Sequence, residues 1–351
     1  QYTTQDKGEE VLATGLIVMP TDVEEEMLTV LWEHFTLGLN DTCSPTAIGL
    51  PGIAHPVLFA SLGNVVVAPD YIGMSGWRGE SDTLHPYIIA EPTAIASLDS
   101  LRALHHFVEE EAPEVRIRKD HMVIWGASEG GFASLFTDRY LPHYAPEFES
   151  KATVAAIPPT DVLWLAQYGT TNLGETTLGI LASITSMSQW YETEEPLSDI
   201  LQPAIADIIV DELKNKCEGF EFIETIQSVE DIFLPGFIAD VQNENDSSNW
   251  ICAIKESGII TTSVPLVRDT PLLIVTGEDD PLLLPDPVRE DIPRLCEQGY
   301  RVEYRECAGE NHTGGAIRSL GEQWEWIEAR VAGTPMDNVC VVQAPHDCSN
   351  E

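Results

Sequence analysis

The sequence predicts an α/β fold, with a mostly parallel central sheet flanked by helices and a mainly helical insertion near its middle. Three observations predict it. Apolar and β-branched runs alternate with segments of helical periodicity up to about residue 159 and again after residue 268. The strand-like runs are almost continuously apolar, as strands buried on both faces must be. Between them, residues 160–268 hold helical patterns such as Ala204 to Leu213 and few strand signals.

The elements follow in order. Val11 to Pro20 reads as an early strand or hairpin arm, and Met27 to Trp32 as a second strand leading to His34. Asn64 to Pro69 is a β-branched run stopped by proline, with Asp70 next. Pro92 marks the first turn of a helix, whose face carries Leu98, Leu101, His105 and Val108. His121 to Trp125 is a strand, followed by a helix to about Tyr140. Thr153 to Ile157 is a strand closed by Pro158 and Pro159, Pro271 to Thr276 a buried strand, and Arg301 to Arg305 the last strand. Ala316, Leu320, Trp324, Ile327 and Val331 recur at helical spacing and give the final helix. The expected organisation is a core of residues 1–159 and 269–333, a helical cap or lid of 160–268, and a surface tail of 334–351. Insertion at the carboxyl end of a strand would put the cap beside the active edge of the sheet.

Charge narrows the partners. Eighteen basic residues face 58 acidic ones, for a formal net charge of −40. A polyanion would be repelled, so nucleic-acid binding is excluded. A solvated acidic surface suits a saline setting. No apolar run is long enough to span a bilayer. The sequence starts at Gln1 without an initiator methionine, and the expectation is a removed secretory signal and a secreted or periplasmic protein. The seven cysteines fit no zinc or C-x-x-C spacing. In an exported chain they are expected to form disulfides, Cys296 with Cys307, Cys340 with Cys348 and Cys217 with Cys252, leaving Cys43 over.

The chemistry centres on Gly126-Ala127-Ser128-Glu129-Gly130-Gly131, a G-x-S-x-G motif between the strand His121 to Trp125 and a helix. Strand, tight turn and helix make a nucleophile elbow, which holds the serine at positive φ at the carboxyl edge of a sheet. A serine needs a base to take its proton and an acid to orient that base. Both follow in chain order. The strand ending at Gly277 runs into Glu278, Asp279 and Asp280, of which Asp280 is the preferred acid and Asp279 or Glu278 the alternatives. The last strand runs into a glycine-rich loop that carries His312, the candidate base. The oxyanion donors expected are the backbone N–H of Glu129 and one from Phe35 or Thr36, in the loop after the strand leading to His34. His34, Tyr71 and Glu129 are candidates for the substrate pocket. No P-loop, G-x-G-x-x-G or H-E-x-x-H is present, so no cofactor and no catalytic metal is expected.

These residues resemble the α/β-hydrolase superfamily, and within it the secretory lipases and related bacterial carboxylesterases. His34-Phe35-Thr36-Leu37-Gly38 is similar to the H-G-T-x-G oxyanion loop, with Phe35 in place of the glycine. Asp41 to Pro45 is similar to the cysteine-containing segment that follows that loop. Ala68-Pro69-Asp70-Tyr71-Ile72-Gly73 resembles the A-P-D-Y-x-G strand end, and His85-Pro86-Tyr87 a further signature. In the elbow, Glu129 stands where glutamine is more usual. The resemblance implies an α/β-hydrolase fold, a triad of Ser128, Asp280 and His312, and hydrolysis of carboxylic esters, small-molecule, lipid or polymeric, without a cofactor.

Asn40, Asn245 and Asn311 begin formal glycosylation sequons. A glycan at Asn311 would sit against His312, so a catalytic His312 requires an unmodified site and favours a bacterial source. Two other functions compete. A serine peptidase of the prolyl-oligopeptidase type shares G-x-S-x-G-G, and Glu129 would then hold a substrate amine. A catalytically inactive homologue used for binding is opposed by the intact Ser, Asp, His order.

Overall fold

The computed structural model describes residues 1–21, 26–76, 83–192, 196–217, 225–268 and 270–349. β1 (Tyr2–Asp6) and β2 (Glu9–Ala13) form an antiparallel ribbon. The main sheet contains β3 (Gly15–Val18), β4 (Thr29–Glu33), β5 (Val65–Pro69), β6 (Met122–Ala127), β7 (Ser150–Ala156), β8 (Pro271–Gly277) and β9 (Arg301–Cys307), in the order β3-β5-β4-β6-β7-β8-β9. β3 is antiparallel to β5, and every other pairing is parallel. The run expected as one early strand is thus two, because the chain leaves the ribbon at Thr14. There the Thr14 hydroxyl donates to Asp70 Oδ2 at 2.6 Å and the Thr14 carbonyl accepts the Asp70 N–H at 2.8 Å.

Period-2 alternation assigns each strand residue to a face. Val30, Trp32, Val66, Val123, Trp125, Val154, Leu273 and Val275 point to one side, where Phe59 of α2 (Leu50–Ser61, after the short α1, Pro45–Ile48) and Trp326 and Ile327 meet them. Leu31, Val65, Val67 and Ile124 point to the other, against Leu98, Leu101 and Leu104 of α3 (Ala90–Glu111) and Leu141 of α4 (Glu129–Tyr144). Both faces are therefore dry, which is why the strands read as continuous apolar runs.

Between β7 and β8 lie α5 (Val162–Gly169), α6 (Glu175–Tyr191), α7 (Pro203–Ala206), α8 (Ile209–Asn215), α9 (Pro235–Gln242) and α10 (Asn249–Glu256). Among the described residues this insertion has no separate core. Its Leu163, Leu165, Ile180, Leu181 and Ile184 share one apolar cluster with Phe132 and Phe136 of α4 and with strand residues Ala155 and Ile274. Polar ties reinforce the seam: Thr160 Oγ1 to Asp291 Oδ2 at 2.6 Å, Thr176 Oγ1 to the Leu282 carbonyl at 2.8 Å, and Asn40 Nδ2 to the carbonyls of Leu213 and Lys216 at 3.1 and 3.2 Å. The chain closes with α11 (Pro285–Glu297), α12 (His312–Arg318) and α13 (Leu320–Val331).

The disulfides differ from all three expected pairs. They are Cys43–Cys217, Cys296–Cys340 and Cys307–Cys348, and Cys252 is free and exposed. Cys296 and Cys307 are close in sequence but not in space. Cys296 ends α11, which runs against the strands and leads through Tyr300 into the start of β9, whereas Cys307 ends β9. A seven-residue strand separates them, roughly 20 Å. The segment after α13 runs beside β9 instead, with the Cys340 N–H on the Val302 carbonyl at 2.7 Å and the His346 N–H on the Glu306 carbonyl at 2.9 Å. Its two cysteines therefore meet the two ends of that strand. Cys217 likewise reaches Cys43, so the insertion is tied to the loop after β4.

Cys43–Cys217 closes the longest loop, with a sequence separation of 174. Replacing both cysteines by alanine is expected to lower the unfolding free energy by about 3–5 kcal/mol, the range for long loops. Urea denaturation followed by tryptophan fluorescence measures it. Unchanged stability would show that the noncovalent ties alone hold the insertion.

Candidate active site

β6 ends at Ala127, α4 begins at Glu129, and Ser128 between them has φ 57° and ψ −117°. Such a conformation is costly for a residue with a side chain. It is held by the Ser128 N–H on the Ala156 carbonyl at 2.9 Å and the Phe132 N–H on the Ser128 carbonyl at 3.0 Å. The elbow closes only without side chains at its glycines. A Cβ on Gly126 would meet the Gly130 carbonyl, and one on Gly130 would meet the Glu33 carbonyl. Two other strands of the sheet also lead into positive φ, at Tyr71 (66°) after β5 and Ile157 (44°) after β7.

Ser128, Asp280 and His312 come together at this edge. His312 Nε2 lies 2.9 Å from Ser128 Oγ, and His312 Nδ1 lies 2.7 Å from Asp280 Oδ2. The other Asp280 oxygen accepts the N–H groups of Leu282 and Leu283, both at 2.9 Å. Asp280 thus has fixed partners on both oxygens and is buried, while His312 stays partly open. Asp279 and Glu278 are exposed, and the Glu278 carboxylate accepts the Gly309 N–H at 2.8 Å instead. Asn311 caps α12 by accepting the Gly314 N–H at 2.9 Å, which fixes the turn that presents His312.

As the first residue of α4, Glu129 directs its N–H away from the helix with no partner inside it. Its side chain points elsewhere. Glu129 Oε1 lies 2.7 Å from His85 Nε2, and His85 Nδ1 donates to the Ile72 carbonyl at 2.9 Å. A carbonyl only accepts, so Nδ1 carries a proton and a second proton is shared between Nε2 and the carboxyl. The buried pair is neutral in sum in either arrangement. Glu129 Oε2 has no partner.

His34 and Tyr71, expected in the pocket, lie beneath it instead, and both are fully buried. His34 Nδ1 donates to the Phe35 carbonyl at 2.8 Å, the Tyr71 hydroxyl donates to the His34 carbonyl at 3.1 Å, and their ring centroids are 4.0 Å apart. They brace the loop that carries Phe35 and Thr36. Burial pushes the His34 pKa down. The site is a cavity of about 490 Å³ in which Phe35, Thr36, Ser128, Glu129 and His312 meet an apolar wall from the insertion, including Val162, Leu165, Ile180 and Leu213. Among the described residues, the cluster with metal-ligand spacing is Glu322, His346 and Cys348. Its sulfur is already bonded to Cys307 and offers no thiolate.

Residues 54–338 match the secretory lipase family. The chain belongs to the secretory lipase family. It is accordingly a carboxylic ester hydrolase, with the α/β-hydrolase fold. Solved structures agree on the fold. A Legionella pneumophila protein superposes with a TM-score of 0.81 at 20% identity, covering 96% of this chain and 89% of the other. The rice cell wall degrading esterase LipA from Xanthomonas oryzae gives 0.73 at 21% identity, covering 94% and 87%. Candida antarctica lipase A in its closed state gives 0.77 at 17% identity, covering 99% and 80%. No curated protein matches the sequence. Membership of a secretory family and three disulfides fit an extracellular protein. No helix among the described residues is long and apolar enough to cross a membrane.

The sequence did not single out the cavity-lining residues Trp125 and His55 or the wall from α6, and it marked Tyr87 only within the His85-Pro86-Tyr87 signature. Periodicity marks them only as apolar or helical positions. Glu33, the last residue of β4, was also missed. It is fully buried, accepts the hydroxyls of Ser97 at 2.9 Å and Thr137 at 3.0 Å, and its own carbonyl packs on Gly130.

Burial pushes the Glu33 pKa up to about 8, from 4.5 for an ordinary glutamate. Between those values the folded protein keeps a proton that the unfolded chain has released, so stability falls as pH rises through that interval and levels off above it. Glu33→Gln is expected to flatten this decline and to exceed the wild type at pH 8.5 by a few kcal/mol. Denaturation curves at pH 5, 7 and 8.5 measure the difference; parallel profiles would show that Glu33 is not the group responsible.

Proposed function

We propose that this protein hydrolyses carboxylic esters by covalent catalysis, with Ser128 as nucleophile, His312 as base and Asp280 as the group that orients it. The observation that carries this is the chain of two short hydrogen bonds, Asp280 to His312 to Ser128, opening onto an apolar cavity. Ser128 Oγ attacks the ester carbonyl carbon while His312 Nε2 takes its proton, and Asp280 steadies the resulting imidazolium. Negative charge collects on the former carbonyl oxygen. The N–H of Glu129 and one from Phe35 or Thr36 meet it, with the positive end of α4 behind them. The imidazolium returns the proton to the leaving alkoxide, the alcohol departs and an acyl-enzyme remains. Water then repeats the sequence, losing its proton to His312, and the carboxylic acid leaves.

The insertion serves as the cap of this site, and its apolar wall supports an acyl group that is itself apolar. The cavity has the size of ordinary small-molecule sites. This favours esters of single molecules, lipids included, over a polyester strand.

Ser128→Ala is expected to lower kcat on p-nitrophenyl butyrate by at least about 10⁴-fold with an unchanged circular dichroism spectrum. Retained turnover in this variant would exclude Ser128 as the nucleophile. Wild type should also turn over p-nitrophenyl esters faster than aminoacyl p-nitroanilides, and the reverse order would point to a peptidase.

A further inference from the structure

The cavity wall opposite the cap is aromatic rather than aliphatic. His55 of α2 lines the cavity together with Phe35 and Trp125. The His55 ring is near parallel to Trp125 (centroids 5.7 Å apart, 28°) and to Trp32 behind it (6.2 Å, 20°), and Phe35 stands edge-on to it (6.0 Å, 83°). These rings are held before any ligand arrives. Trp125 Nε1 donates to Gln323 Oε1 at 2.7 Å, and Phe59 packs edge-on against its ring at 5.2 Å. His55 is half-buried, and among the described residues nothing lies within hydrogen-bonding distance of its ring nitrogens. Burial pushes its pKa down, so at neutral pH it is an uncharged ring that can donate from one nitrogen and accept at the other.

We propose that Phe35, His55 and Trp125 form a subsite for an aromatic ring in the alcohol half of the substrate, with His55 available to a hydroxyl on that ring. The assignment rests on the Ser128–His312 reading above. His312 must protonate the leaving oxygen, so the leaving group lies along the wall that continues from His312. That wall is α12, whose Ala316 and Ile317 line the cavity, and Ala316 belongs to the same apolar cluster as Trp32 and Trp125, with Phe35 packed against it. The acyl group then occupies the aliphatic wall of the cap. Fixed rings offering both a face and an edge favour an aromatic guest over a saturated one, and the neutral imidazole has no ion to attract. The preferred substrates are therefore esters of aryl-bearing alcohols, with phenol-bearing ones preferred further.

The test compares kcat/KM for 2-phenylethyl butanoate and 2-cyclohexylethyl butanoate, which share linker and acyl group and differ only in the ring. A merely apolar slot would prefer cyclohexyl, which has more apolar surface. The expected result is a preference for the phenyl ester of about five- to tenfold. A para-hydroxyl should raise it further, and His55→Leu should bring the ratio close to one. If that variant fails to fold, product inhibition of the wild type reads the same subsite, and 2-phenylethanol should inhibit at a lower concentration than 2-cyclohexylethanol. Hydrolysis of both esters at equal rates, faster hydrolysis of the cyclohexyl ester, or a phenyl preference that survives His55→Leu would overturn the subsite and leave the triad standing. Turnover of p-nitrophenyl butyrate unchanged by Ser128→Ala would instead overturn the triad.

Discussion

Everything at this site depends on one residue held in a left-handed backbone conformation. Ser128 is costly there, and only the surroundings keep it in place: the two glycines that let α4 press against β4 and β6, and the hydrogen bond to Ala156 on the neighbouring strand. Because β6 is central and dry on both faces, the local cost is borne by a packed sheet that cannot relax at one point alone. The same edge holds Tyr71 and Ile157 at positive φ. Strain here is shared by the ends of three strands of the sheet, β5, β6 and β7.

The second constraint is the seam between the sheet and the insertion. A separately folded domain would hinge freely, but this one shares its apolar cluster with α4 and the strands. It is also tied to the loop after β4 by Cys43–Cys217 and by the Asn40 side chain. The cavity wall is thus part of the molecule's core, and its shape is set by the packing that stabilises the fold. That coupling fixes the wall from α5, α6 and α8 that faces Ser128 across the cavity.

Much of this was legible in the sequence because it rests on local pattern. Alternating strands and helices, dry strands and the elbow glycines are short-range signals, and chain order alone drew attention to Ser128, Asp280 and His312, which the fold brings within hydrogen-bonding reach. What escaped depends on contacts across the chain. The disulfides were misread because sequence proximity does not say which ends of antiparallel elements adjoin, as Cys296 and Cys307 show. His34 and Tyr71 looked like pocket residues because they sit in signature motifs, yet their work is to brace the loop from below. The His85–Glu129 pair spans 44 residues, and no periodicity announces it. His55 carries no motif; only the folded sheet sets it between Trp32 and Trp125.

The segment beside β9 bears on how such a protein is made. An unpaired edge strand is a template for pairing with another chain, and here that edge is closed by residues that follow the whole hydrolase core in the chain. Cys296–Cys340 and Cys307–Cys348 pin that segment in place, and such bonds persist in an oxidising compartment. Without them the cover over the edge is held by backbone hydrogen bonds such as Cys340 N–H to the Val302 carbonyl, and oxidation of these four cysteines is what fastens it.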